Sequence, residues 1–290
     1  MATTYYNCPV KLGLADASPD YFFVAQSASV EESIPMLPVR SLGVSNSINA
    51  VPENTIQGSV NINFLLSFGT AGGPALSSIT PQNIIDYTCI NQVNPTLLDG
   101  SIGPIQFYDA VVSSFSVNAD AQSVVNCSLS LNYYKHTEPM DDGGSSSANT
   151  FDGANLSYAH GANSTPSAGS VSLNTNLFSF SFQLSQSVNP IKILGDVDPE
   201  SYLKTNGEIT ATFVGNNLPT GLAEAGTTLC KEAVSAVSFT ATDCEDPANT
   251  TTVTVPQTSL GDDEAHIVSR SIEVSENNAL NGTAVVTQYF

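Results

Sequence analysis

The chain has 290 residues, 41% of them apolar and only 12% charged, and 27 acidic side chains against seven basic ones give a formal charge of −20. That length suits two domains of ordinary size, each able to bury a core. The excess of carboxylates excludes a surface that grips nucleic-acid phosphates or is drawn to an anionic membrane, since both need clustered Lys and Arg.

Many Ser, Thr, Asn, Val and Gly residues favour strands and turns over helices, so a mainly-β protein is expected. No apolar run reaches the ~20 residues of a membrane span. The start, Met1-Ala2-Thr3-Thr4-Tyr5-Tyr6, has neither the basic nor the apolar region of a signal peptide, which predicts folding in a cytosol. Asn-x-Ser/Thr sequons begin at Asn126, Asn155, Asn163, Asn249 and Asn281, and in that compartment they read as by-products of composition. The five cysteines, Cys8, Cys89, Cys127, Cys230 and Cys244, are scattered with no Cys-x-x-Cys spacing; they read as buried free thiols, with a Cys230–Cys244 bridge as the alternative if strand ends meet.

Residues 24–34 alternate, with Val24, Gln26, Ala28, Val30 and Glu32 on one parity, which predicts a half-buried strand running into a bend at Pro35 and Pro38. A polar loop follows, then a second alternating strand through Val60, Ile62 and Phe64, so the two form a long hairpin. Thr80-Pro81 predicts the start of a short helix, with Thr80 as N-cap and Pro81 in the first turn. Residues 112–117 and 131–134 close this first unit. From Asp141 to about Gly169 a Gly/Ser/Asn-rich stretch predicts a loosely draped linker.

The same order then returns. Phe178, Phe180, Phe182 and Leu184 alternate with Ser179, Ser181 and Gln183, the clearest period-2 pattern in the chain, and a strand through Ile209, Ala211 and Phe213 follows. Pro38-Val39-Arg40-Ser41-Leu42-Gly43 reappears as Pro190-Ile191-Lys192-Ile193-Leu194-Gly195. Residues 222–234 are the counterpart of the helix. An added strand pair at 237–242 and 251–255, joined by an acidic turn at 243–249, has no counterpart in the first copy. The closing segments pair Phe115 with Ile272 and Tyr133 with Tyr289, given a one-residue slip. A period of about 150 residues exceeds any solenoid or propeller unit and reads as duplication of a domain. The boundaries are 1–136 for the first domain, 137–169 for the linker and 170–290 for the second domain, with its extra hairpin near 237–255.

Chemistry-bearing constellations are sparse. His136, His160 and His266 lie in loop-like contexts without metal-ligand spacing and read as surface residues. No nucleophile elbow, phosphate-binding loop, zinc pattern or dinucleotide fingerprint is present, so no catalytic, cofactor-binding or metal residue is assigned and the chain is read as a non-enzyme. The acidic clusters at 196–200, 243–246 and 262–264 lack the spacing of a calcium loop and read as solvated turns. Two of the seven basic residues, Arg40 and Lys192, occupy the same place in the two copies. They are the candidate interface residues, each placed to pair with an acidic neighbour across a repeated contact.

A hairpin built on a Pro-x-x-x-Leu-Gly bend, a following Gly-(Ser/Glu)-(Val/Ile) strand, a short helix and a closing strand pair resembles the tail-tube proteins of tailed bacteriophages. The segments 24–64 with 112–134, and 178–213 with 268–290, carry the resemblance over about half of the chain. It implies two tandem β-sandwich or barrel-like tube domains, each with a short flanking helix, in a structural protein of the virion tail made in the cytoplasm of a bacterial host. Such proteins form rings whose inner strands join into a continuous barrel, and the rings stack into a hollow tube. A tandem chain would build a ring of six domains as a homotrimer, with a homohexamer as the alternative. The partners implied are further copies of the chain, other tail proteins and double-stranded DNA in transit, with no membrane. A polar, negative lumen would repel that cargo instead of holding it.

Two other readings compete. One is a different tail component on the same fold, a tube terminator or baseplate ring. The other is a calcium-binding adhesive or carbohydrate-binding β-sandwich, against which the absence of Trp counts. A hydrolase would need a carboxylate pair or a catalytic His that the sequence does not offer.

Overall fold

A computed structural model describes residues 8–14, 20–33, 36–39, 49–52, 57–69, 80–89, 95–102, 105–134, 156–168, 171–172, 177–194, 198–216, 236–257, 265–274 and 280–290. The protein is mainly β. In chain order its first part comprises β1 (Cys8–Leu14), β2 (Asp20–Ser33), β3 (Met36–Val39), β4 (Asn49–Pro52), β5 (Gln57–Leu65), β6 (Ser67–Gly69), helix α1 (Pro81–Cys89), β7 (Leu98–Ile102), β8 (Ile105–Asp120) and β9 (Asn126–Tyr133). Then come β10 (Leu156–Tyr158), a 3-10 turn (Gly161–Asn163), β11 (Thr165–Ala168), β12 (Val171–Ser172), β13 (Leu177–Ile191), β14 (Ser201–Asn216), β15 (Val237–Thr242), β16 (Thr250–Val255), β17 (His266–Val274) and β18 (Leu280–Tyr289).

Ten strands form one sheet in the order β17-β18-β14-β13-β8-β7-β1-β2-β5-β9. Within it lie two quartets of the same antiparallel order. The first is β2-β5-β9-β8 and the second β13-β14-β18-β17. In each, the hairpin found by alternation supplies two strands, and the closing pair adds the fourth before the third. β8 is 16 residues long and is shared. It pairs with β7 over residues 105–110 and with β9 over 111–118, while β13 runs along 114–120. Because β9 pairs with both β5 and β8, the strands β8-β7-β1-β2-β5-β9 form a closed circuit of hydrogen-bonded neighbours, from which β13, β14, β18 and β17 continue the sheet.

The quartets also match in register, and the match corrects the alignment expected from sequence. Gly58 faces Tyr133, and Gly207 exchanges both backbone hydrogen bonds with Phe290 at 2.9 Å, so the counterpart of Tyr133 is Phe290 and not Tyr289. A Cβ at Gly58 would come within 1.8 Å of the Tyr133 ring and one at Gly207 within 2.2 Å of the Phe290 ring, so a side chain at either position must displace the facing ring. Leu129 faces Phe115 and its counterpart Val286 faces Ile267, so Phe115 corresponds to Ile267 and not to Ile272. Pairing defines this correspondence; Phe115 lies 14 residues before its partner and Ile267 lies 19 before its own, and the bulge between Ile267 and Ser269 contributes one of the residues by which the second closing hairpin is longer.

One hydrophobic cluster runs through both quartets, from Leu12, Val60, Ile62 and Phe64 across Phe115 and Phe182 to Phe213, Ala284 and Val286. Phe115 meets Phe182 edge-on across the β8–β13 seam at 6.3 Å between centroids, and Phe180 stacks on Phe239 of β15 at 4.5 Å. Phe178, expected on the buried face with them, is 48% exposed because a register shift between Leu177 and Ser179 turns it outward.

The segment expected to be a loose linker is structured in its second part. β10 pairs with β6 of the first half, and β11 pairs with β15 of the second. Ser157 and Ala159 are buried. Leu156-Ser157-Tyr158 and Thr165-Pro166-Ser167-Ala168 lie within a stretch of linker-like composition, yet they form strands whose partners are distant in sequence. The extra strand pair of the second half forms as expected, as β15 and β16. The helix also forms where Thr80-Pro81 predicts it. The Asn83 amide donates to Thr80 Oγ1 at 3.2 Å and the Thr80 amide to Asn83 Oδ1 at 3.1 Å. Residues 222–234, expected as its counterpart, lie outside the described residues.

Candidate assembly surface

No catalytic constellation was expected, and the surfaces that distinguish this chain are sheet edges, repeated grooves and projecting arms. The seam between the quartets is the model for what an edge here can do. Seven register pairs join β8 to β13, from Ser179 opposite Asp120 to Ser185 opposite Ser114, with Phe182 facing Val117 and Leu184 facing Phe115. Those four apolar side chains are fully buried. The Gln186 side chain donates to the Val112 carbonyl, and the Ala121 amide donates to the Phe178 carbonyl at 2.9 Å. On the opposite face a small cluster of Val111, Val188 and Tyr202 straddles the same seam, with Tyr134 donating to the Val188 carbonyl at 3.3 Å. Burial, with Asp109 and Asp198 nearby, pushes the Tyr202 hydroxyl up to about 12. It therefore stays protonated.

Two edges lack such a neighbour among the described strands. β17 ends the sheet order, paired only with β18. β2 carries β5 along one edge, but β1 covers its other edge only as far as Ala25. On these edges Ala28, Val30 and Ile267 pack against the core while remaining partly exposed, and Val268 is 51% exposed. An open strand edge bearing apolar residues is a template for another strand.

The register match creates a pair of grooves as well. One, of about 420 Å³, lies around Gly207 between residues 185–187, 206–208, Tyr289 and Phe290. The other, of about 350 Å³, lies around Gly58 between residues 31–33, 57–59, Asn132 and Tyr134. Each carries carboxylates, Glu208 in the first and Glu31 and Glu32 in the second. Beyond the sheet the hairpins extend as arms bearing exposed apolar side chains. These are Met36 and Leu37 in the first half, and Ile191, Ile193, Leu194 and Leu203 in the second.

Of the two candidate interface residues, Arg40 lies outside the described residues. Lys192 follows the end of β13, half-buried, and burial lowers its pKa. The acidic turn at 243–246 departs from expectation at its first residue. Asp243 is buried, accepting from Ser157 Oγ at 2.5 Å, from the Glu245 amide at 2.9 Å and from Asn249 Nδ2 at 3.4 Å. Burial alone would raise its pKa, but these hydrogen bonds outweigh it and hold the carboxyl below the usual range. Only Glu245 and Asp246 of that cluster are solvated. Of the other acidic clusters, Asp196 and residues 262–264 lie outside the described residues.

The histidines divide. His160 caps the 3-10 turn through Nδ1, which accepts from the Ala162 amide at 3.0 Å, and His266 begins strand β17 instead of lying in a loop. His136 is outside the described residues. Cys127 is buried as expected, with its thiol pushed up by desolvation, whereas Cys244 is exposed and free of any disulfide. Among the described residues no group of three His, Cys, Asp or Glu is placed to hold a metal ion, and no helix is long and apolar enough to cross a membrane. Lys204 was not singled out by sequence. Its Nζ donates to the Thr88 carbonyl at the end of α1 at 2.8 Å and sits 4.8 Å from the centre of the Phe290 ring. Comparison of the sequence with family models and with curated proteins finds no match.

Proposed function

We propose that this chain is a structural protein of a bacteriophage virion, whose copies form the stacked rings of a hollow tail tube that conducts double-stranded DNA. In this reading the two quartets are tandem tube domains, and three chains make a ring of six. The observation that carries it is the seam: two quartets of the same strand order lie edge to edge in one sheet, which supports a chain that contributes two like segments to a ring. The duplicated sequence elements support the same reading, as do the twin grooves around Gly58 and Gly207. Exposed apolar side chains on both arms suit contacts between successive rings.

The charge of −20 gives a conduit its second requirement, a wall without affinity for phosphate. The virion tail is then the site of action and the bacterial cytoplasm the site of synthesis, with other tail proteins as end partners. A second reading, a tube terminator or baseplate ring on the same fold, draws on the β15–β16 hairpin, which has no counterpart among the described residues of the first half. Electron microscopy of the purified protein tests both. Filaments of regular bore are expected for a tube, single rings for a terminator, and a stable monomer at high concentration would exclude either.

A further inference from the structure

We propose that Asn206 is a site of spontaneous covalent modification, losing its side-chain amide to attack by the Gly207 backbone nitrogen and leaving aspartate and isoaspartate at the foot of the second arm. The reaction needs only this chain and water, whatever its copies assemble into.

Asn followed by Gly is the pair in which this chemistry is least hindered, because glycine has no Cβ to block the approach of its nitrogen to the preceding side chain. The chain has two such pairs, Asn206-Gly207 and Asn281-Gly282. Both asparagines are exposed, but their backbones differ. Asn281 lies in a continuous ladder, facing Asn216 on one side and Glu273 on the other, while Gly282 faces Gly215 and Ile272. Asn206 stands in a bulge: between the Gln186–Gly207 and Val188–Lys204 pairs, Thr205 and Asn206 together oppose the single residue Ser187. Ring closure folds the Asn side chain back onto the next peptide nitrogen. A backbone held extended in a ladder resists that, and a bulge permits it.

The first half supplies an internal comparison. Gly58 lies under Tyr133 as Gly207 lies under Phe290, and the residue before it is Gln57. The extra methylene of Gln replaces a five-membered ring by a six-membered one, which closes far more slowly. One half therefore carries the inert side chain, and the other the reactive one, at the same place in the fold.

The Gly207 amide loses its proton and its nitrogen attacks Cγ of Asn206; the new N–Cγ bond closes a succinimide as the Cγ–Nδ2 bond breaks and ammonia leaves. Water then opens either carbonyl of the ring, giving aspartate or isoaspartate. To react, Gly207 must release the hydrogen bond that it donates to the Phe290 carbonyl at 2.9 Å. Isoaspartate routes the backbone through Cβ, one atom longer, beside a glycine whose surroundings leave no space for a Cβ of its own. Either product adds a negative charge next to Glu208, which lines the same groove. The Phe290 end of β18 should therefore loosen, and with it the contact of Lys204 Nζ, 4.8 Å from the centre of the Phe290 ring. The change is one-way and cumulative, and it marks the age of each copy at one arm only.

The full chain would be aged at neutral and at mildly alkaline pH, in parallel with the same chain unfolded in urea. Peptide mapping by mass spectrometry, with enzymatic labelling of isoaspartate, reads each position. In the folded protein, product is expected at Asn206 at least about tenfold faster than at Asn281, with none at Gln57 and with the two Asn rates converging in urea. Formation should rise with pH, since the attacking nitrogen must lose its proton. Aged protein should exchange the Gly207 and Phe290 amides faster than fresh protein. Asn206→Gln should abolish both the product and this ageing effect while leaving exchange in the fresh protein unchanged. Equal rates at Asn206 and Asn281 in the folded protein would overturn the proposal. So would an Asn206 that keeps its amide while the unfolded chain loses it.

Discussion

Gly58 and Gly207 do the same work in the two halves, each lying under the ring of Tyr133 or Phe290. Their surroundings differ. Tyr133 is buried and cannot swing away, while Phe290 is half-buried and has room to shift. Gly58→Ala should therefore cost about 1–3 kcal/mol through overpacking, and Gly207→Ala distinctly less, as measured by denaturant unfolding. Equal losses would show that backbone conformation, and not the ring, sets the requirement. Gln288 shows how the halves diverge: it stands where the first half has Leu131, fully buried, and exchanges hydrogen bonds with the Gln257 backbone at 2.7 and 3.1 Å. A buried Gln is invisible to a hydrophobic pattern, because its partner belongs to the inserted hairpin. The burial of Asp243 is hidden from the sequence for a similar reason, since Ser157 lies 86 residues away. With its folded pKa held below the ordinary 3.8, Asp243 stabilises the fold above that value and loses the contribution as pH falls through the depressed one. Asp243→Asn should reduce stability at neutral pH by on the order of 2 kcal/mol. It should also flatten this part of the acid limb below about pH 5, so the two proteins converge in acid; a constant gap at every pH would refute the assignment.

Elements whose determinants are local were legible in the sequence. Helix α1 announces itself through Thr80, Pro81 and Asn83 within four residues, and β13 and β14 through alternation alone. β10 and β11 were not legible, because three- and four-residue segments set in a Gly/Ser/Asn-rich stretch become strands only when β6 and β15 are in place. The partner exchange along β8 was also hidden, since period-2 patterning reports which face is buried and says nothing about which strand lies alongside. Lys204 belongs to this scale, for it ties the last turn of α1 to the C-terminal strand of the other half through the Thr88 carbonyl and the Phe290 ring. Lys204→Met keeps the aliphatic stem but removes both contacts. A loss of about 1–2 kcal/mol is expected, with faster amide exchange at the end of α1 than elsewhere. A uniform change in exchange over the whole chain would mean that the lysine does not hold the helix end.

For the whole molecule the decisive balance is between edges that invite pairing and a charge that opposes it. Every copy brings −20, so bringing copies together costs Coulomb energy spread over the surface, while strand edges that no described strand covers, such as the outer edge of β17, offer short-range hydrogen bonds and apolar cover. These terms respond differently to salt. Repulsion between exposed charges is screened beyond a Debye length of about 10 Å at 0.1 M, against about 30 Å at 0.01 M, whereas strand pairing is hardly affected. Self-association should therefore strengthen as sodium chloride rises from about 10 mM to about 500 mM, seen as a shift to larger species in sedimentation velocity. The same charge predicts that the assembled protein fails to retain double-stranded DNA even at the lowest salt, where any cationic site would bind most strongly. Dissociation by salt would mean that attractive ion pairs, and not sheet edges, hold the copies together. Retention of DNA at low salt would place a basic surface where a conduit needs none.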